Sequence, residues 1–137
     1  MVKKIKLEDG IVEKNWRSAE AYLQRRKTIY KGIMTTEGGP QLVWKEVPQS
    51  DGRIGQVPLD PSPSQKLYNH SPDGFQWGYG GSGPAQLALA LLLDVTGDGK
   101  LSVQLHQHFK RDFVATWGES WLIDADQIRR WVELRRQ

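Results

Sequence analysis

HSPDGFQWGYGGSGPAQLALALLL, running from His70 to Leu93, is the stretch around which the rest of the chain is organised. It passes from a turn through a short aromatic segment and a glycine loop into a run that is apolar on every side, and a helix of that kind belongs inside a core. The loop before it is therefore rigidly mounted. Ser71-Pro72-Asp73-Gly74 has the preferences of a type I turn in order: Ser at the first corner, Pro with its fixed φ at the second, Gly at the fourth. Phe75, Trp77 and Tyr79 alternate with Gln76 and Gly78, which predicts a strand carrying all three rings on one face. Gly78, Gly80, Gly81 and Gly83 free the backbone for positive φ and close approach. Pro84 suits the first position of a helix, with Gly83 or Ser82 as its N-cap.

The first amides of such a helix lack intrahelical partners and sit at the positive end of its dipole, so an anion is favoured there, and Ser82 adds a hydroxyl. Gly78, Gly80 and Gly83 formally satisfy G-x-G-x-x-G, but no buried strand precedes the loop and no parallel strand follows the helix, as dinucleotide binding needs. A Walker-type phosphate loop is excluded because no Lys-Ser/Thr pair follows the last glycine. Two readings stay open: the glycines let Trp77 and Tyr79 pack while the chain turns a corner, or they hold a ligand. The candidate binding residues are His70, Ser71, Asp73, Trp77, Tyr79, Gly80, Gly81, Ser82, Gly83 and Gln86.

Tyr30-Lys31-Gly32, His70 to Phe75, Trp77 to Ala90, Phe109-Lys110 and Trp121 together resemble a family known only as a domain of unknown function, number 6166. The resemblance covers roughly Thr28 to the C-terminus; the residues before it and the insertion-like segment from Val47 to Ser64 look particular to this chain. It implies occurrence in bacteria, archaea and their phages, and no activity.

The 137 residues suit one domain with a real core, and six tryptophans favour dense packing. The absence of cysteine excludes disulfides and thiolate metal sites. No leader-like apolar run follows the basic start, and Leu87 to Leu93 is too short to span a bilayer, so a cytoplasmic protein is expected, in the host cell if a phage encodes it. The net charge of +3 divides as +5 over residues 1–31, −4 over 32–124 and +2 over 125–137. Basic ends fit nucleic acid or an acidic partner, or are solvated faces.

Residues 1–27 read as a basic arm followed by a helix capped by Asn15, and 28–137 as the domain proper. Thr28 to Met34 and Gln41 to Val47 read as an antiparallel strand pair, Ile54 to Leu59 as another strand, and Asp60 to Ser64 as an exposed extended link. Asp94 to Leu105 imitates a calcium loop, but its closing position is Leu105 where a carboxylate is required, so a helix-to-helix turn is expected. Leu101, Leu105, Phe109, Phe113 and Trp117 mark one face of a helix stopping at Gly118. His106 and His108 stand about 200° apart on it and cannot chelate one metal together. Trp121 to Ile123 reads as an edge strand. Asp124 and Gln127 form a capping box for a last helix that buries Ile128, Trp131, Val132 and Leu134.

The expected fold is α+β: a small antiparallel sheet packed against three C-terminal helices, with an extra N-terminal helix. The expected function is non-enzymatic capture, at the aromatic and glycine loop, of a small anionic ligand such as a nucleotide or cyclic nucleotide, or of a host protein, with no cofactor and no metal. Two alternatives remain. Lys3, Lys4, Arg25, Arg26, Arg129 and Arg130 form a nucleic-acid face, or a small hydrolase uses His70 with Asp73 beside it.

Overall fold

The computed structural model describes residues 28–36 and 38–136; the basic arm and helix expected over residues 1–27, with Lys3, Lys4, Arg25 and Arg26, lie outside the described residues. Ile29–Lys45 and Gln56–Gln137 form one compact unit, and the hairpin tip Glu46–Gly55 falls outside it. Within the tip, the Gln49 amide donates to the Arg53 carbonyl at 2.9 Å, and Gly52 takes the positive φ of +86° that closes the turn.

Strand β1 (Ile29–Ile33) turns Tyr30 and Gly32 inward, and β4 (Ser120–Asp124) turns Trp121 and Ile123 inward, the two-residue alternation of half-buried strands. They pair antiparallel, from Ile29 opposite Asp124 to Ile33 opposite Ser120. With β2 (Val43–Pro48) and β3 (Ile54–Pro58) they make a four-stranded antiparallel sheet in the order β3-β2-β1-β4. Gly32 is there for space: a Cβ would lie 2.6 Å from Trp121 Nε1 and 2.8 Å from Trp77 Cη2.

Residues 60–64 are not the extended link that two prolines suggested. Helix α1 (Ser62–Leu67) starts there, with Pro61 as N-cap and Pro63 in the first turn, where a missing N–H leaves no bond unmade. The Asp60 carboxylate accepts from the Ser62 amide at 2.9 Å, and that bond holds its carboxyl below the ordinary range.

Helix α2 (Ser82–Thr96) buries every residue from Gly83 to Leu92, as its all-round apolar sequence requires. It ends at Gly97 in the left-handed conformation (φ +68°), whose N–H donates to the Leu93 carbonyl at 2.8 Å. One residue later Asp98 caps helix α3 (Gly99–Asp112), its carboxylate accepting from the Leu101 amide at 3.0 Å. The calcium-like stretch is thus a C-cap joined to an N-cap.

Helix α3 keeps the expected Leu105 and Phe109 face but does not run to Gly118. The chain leaves helical geometry at Phe113 (φ −129°, ψ −70°) and makes a 3₁₀ turn over Val114–Thr116. Other bonds compete with the helix here: from far along the chain the Gly78 amide takes the Val114 carbonyl at 3.0 Å, and locally the Thr116 hydroxyl takes that of Phe113 at 2.6 Å. Helix α4 (Ala125–Arg136) begins with the expected capping box, Asp124 and Gln127 exchanging side-chain and backbone bonds at 2.8 and 2.9 Å. It buries Ile128, Trp131 and Val132, whereas Leu134 falls past the edge of that stripe and is 71% exposed.

The sheet is tied to α2 by one polar cluster. The Tyr30 hydroxyl donates to Asp94 Oδ2 at 2.5 Å, and Lys45 Nζ lies 2.8 Å from the same oxygen. Burial, then the Asp94 carboxylate, push the Tyr30 phenol far above its ordinary value, so it stays a donor at any working pH.

Candidate functional site

The central motif does not converge on one site; its residues divide between two. At the first, Gln86, fully buried, spends its whole amide. Its carbonyl accepts from the His70 and Ser71 amides at 2.7 and 2.9 Å, and its NH₂ donates to Ser64 Oγ at 2.9 Å and the Tyr68 carbonyl at 3.2 Å. Nothing is left for a ligand. Gln86 is a clamp that fastens α1 and the following loop to α2. Ser71 begins the expected turn, its carbonyl accepting from the Gly74 amide at 3.3 Å, with Asp73 exposed at the corner.

Among the described residues, His70 makes no hydrogen bond to Asp73. Its Nε2 lies 2.8 Å from Nε2 of His106, a residue that its place on α3 gave no reason to link to His70. The Val103 carbonyl lies 2.6 Å from His106 Nδ1, which assigns that nitrogen the proton; His106 Nε2 is then the acceptor and His70 Nε2–H the donor. Tyr68 stacks on His70, with ring centroids 4.2 Å apart. Burial first, then the neighbouring imidazole and Lys110, hold His70 below its ordinary value; burial does the same for His106 against the opposing pull of the Val103 bond. Among the described residues neither ring bonds a hydroxyl.

At the second, the segment just before the glycine loop, Gln76 to Tyr79, lines a cleft of about 670 Å³, Gly78 being the one glycine of that motif to reach it. One wall is the β1–β2 connection, with Met34, Thr35, Thr36, Gly38, Gly39 and Gln41. The second is Gln76–Tyr79, and the third is Trp117–Glu119. The expected aromatic strand is only an isolated bridge, Phe75 to Gln41, and the three rings part company: Phe75 and Trp77 are buried, while Tyr79 is 49% exposed at the cleft. Gly78 makes the divergence possible with a φ of +88°.

Hydrogen bonds fix the walls. Trp77 Nε1 donates to the Gly118 carbonyl at 2.8 Å, Gln41 accepts from the Thr35 amide at 2.7 Å, and Gln41 and Gln76 donate to the Gly39 carbonyl at 3.0 and 3.1 Å. The Tyr79 hydroxyl donates to Gln76 Oε1. Behind them Trp121 stacks on Trp117 at 4.0 Å and meets Trp77 edge-on at 5.5 Å. Among the described lining residues Glu119 is the one charge.

The N-terminus of α2 is a poorer anion site than its sequence suggested. The N-cap is Gly81, one residue earlier than expected, so Pro84 stands at the third helical position and removes an amide; Ala85 N–H already bonds the Gly81 carbonyl at 3.1 Å. Only the Ser82 and Gly83 amides remain, and Gly83 is packed so closely against Gln76 that an added Cβ would lie 2.8 Å from Gln76 Cβ. Ser82 and Gly80 are exposed, and none of Gly80 to Gly83 lines the cleft.

At the C-terminal helix, Arg129 pairs with Asp126 at 2.8 Å, Arg135 with Asp112 at 2.6 Å and Arg136 with Glu133 at 4.0 Å, which neutralises much of that basic face; Arg130 is exposed. No helix among the described residues is long and apolar enough to cross a membrane.

Sequence reading found Trp77 and Tyr79 but missed Met34, Gln41, Trp117 and Glu119, which reach the cleft from distant chain segments. The i, i+4 spacing of Trp117 hid it among core positions. No curated protein and no solved structure matches this chain. A family model described as a family of unknown function, DUF6166, matches residues 30–134, and the chain belongs to that family.

Proposed function

We propose that this protein is a non-catalytic binding module that captures a segment of a partner protein in the cleft between Tyr79 and Trp117. The observation that carries the reading is the cleft's chemistry: indole and phenol surfaces, side-chain amides, and one carboxylate, Glu119, with no cation among the described lining residues. An apolar or basic side chain suits such a lining; a nucleotide phosphate does not, because the two open amides of α2 lie outside it. Walls already hydrogen-bonded to one another lower the ordering cost of capture.

The test is peptide selection from a displayed random library on the wild-type protein, beside thermal unfolding with nucleotides, cyclic nucleotides and duplex DNA at low and moderate salt. The reading expects selected peptides whose affinity drops in Trp117→Ala and Tyr79→Ala, and no nucleotide effect. A nucleotide that stabilises by about 2.7 kcal/mol at a hundred times its Kd, in a manner lost in Trp117→Ala, would overturn it.

A further inference from the structure

The cleft opens beside a strand edge where, among the described residues, the outward backbone groups of Ser120 and Leu122 are unpaired. The Met34 amide donates to the Glu119 carbonyl at 2.8 Å, and these residues continue the β1–β4 register, so Met34 and Glu119 are a hydrogen-bonded pair. Alternation then gives the β1 ladder the backbone groups of Trp121 and Ile123, and turns the N–H and C=O of Ser120 and Leu122 to the other side. β4 ends the strand order, and among the described residues no group bonds Ser120 or Leu122 there. The Asp124 amide, next in line, is taken by Gln127.

Edges left open are ordinarily blunted by lysine, proline or a bulge. Ser120-Trp121-Leu122-Ile123-Asp124 has neither residue, and its register runs without interruption. On the solvent face Leu122 is 62% exposed, and Ile33, diagonal to it on β1, is 69% exposed. Trp117 and Glu119 of the cleft lie immediately before this edge in the chain.

We infer that β4 is a strand-addition site: an extended segment of the partner protein pairs with Ser120 and Leu122 and carries a side chain onward into the cleft. This rests on the reading of the cleft as protein-binding. The chemistry specifies the occupant as an alternating segment, apolar where it lies beside Leu122, with a Lys or Arg placed to meet Glu119. A second copy of this chain fits less well. Self-pairing over five residues makes a seam only about 17 Å long, too short by itself to bury the roughly 1,200 Å² of a stable interface, and leaves the cleft empty.

The experiment uses the full chain and a library-selected peptide. Bound peptide should slow amide exchange of Ser120 and Leu122 at least tenfold, leaving Trp121 and Ile123, already in the ladder, little changed. Peptides N-methylated at alternate residues should bind in one phase and lose at least tenfold in the other, a readout that requires no change to the protein. Leu122→Pro removes an outward N–H that the fold does not use, so it should unfold as wild type does while losing at least tenfold in affinity. If Trp117→Ala abolishes binding while Ser120 and Leu122 stay unprotected and both methylated peptides bind, strand addition is wrong and the cleft reading stands. If the amides are protected and Trp117→Ala binds normally, the cleft reading fails instead. Concentration-dependent dimers that Leu122→Pro dissolves would overturn the choice of occupant.

Discussion

Replacing Gln86 by leucine, a side chain of similar volume, removes one amide and takes a bond from each of four partners in or near the core. Their losses are unequal. The His70 amide has a second acceptor in the Tyr68 carbonyl at 3.1 Å, and the Ser64 hydroxyl still donates to the Pro61 carbonyl at 2.8 Å. The Ser71 amide has no other acceptor, and the Tyr68 carbonyl loses its side-chain donor. An orphaned buried group costs about 1–3 kcal/mol and a weakened one about 0.5–1.5, so Gln86→Leu should destabilise by about 2–4 kcal/mol after the gain from a more apolar side chain. In a chain of this size that is a fall of roughly 8–15 °C in Tm, and a large share of a typical total stability. Urea unfolding gives the free energy directly, and an unchanged slope would place the effect in the native state. Gln86→Glu sharpens the test: burial raises a carboxyl's pKa, so that variant should lose stability as pH rises, where wild type does not. A cost under about 1 kcal/mol for Gln86→Leu would refute the clamp and return Gln86 to the ligand-binding candidates.

Other outcomes follow from the same geometry. Because His70 and His106 are held below their ordinary values, the unfolded chain takes up protons first as pH falls through about 6.5; stability should drop from there and level off once the folded pair has titrated. His106→Gln should flatten that dependence of the urea midpoint, and an unaltered slope would mean the pair is not its source. Gly32→Ala drives a methyl into the Trp77 and Trp121 rings and should cost at least ~1–3 kcal/mol, whereas Gly80→Ala meets nothing within 4 Å and should stay within about 0.5 kcal/mol. Asp98→Ala, losing the cap of α3, should cost ~1 kcal/mol in thermal unfolding.

What the sequence disclosed is what is local. The Asp124 and Gln127 box, the helix-to-helix turn after Asp94, the buried α2 and the strand beginning near Thr28 each depend on neighbours a few residues away, and each stands where its pattern put it. The rest depends on partners far along the chain. Phe113 leaves the helix because residues past it answer to Gly78, and His106 finds His70 across 36 positions. Trp77 and Tyr79 part because a glycine at φ +88° redirects the chain, a choice that spacing cannot encode. The candidate site was legible as a loop with rings and glycines; its other two walls were not, since neither Gln41 nor Trp117 bears any local sign of facing Trp77.

The indoles behind the cleft also give the protein a spectroscopic character of its own. Trp117 and Trp121 lie 4.0 Å apart with planes only 12° from parallel, and Trp77 stands at 81° to Trp121. Chromophores so close and so oriented share their excited states, so the folded chain should show an exciton couplet in circular dichroism that isolated tryptophans lack. Trp117 reaches the cleft while Trp121 is held in the core, so an occupant that tilts one ring against the other changes the couplet without changing the fold. Occupancy can therefore be followed in unlabelled protein, on a signal distinct from the amide bands that report its helices.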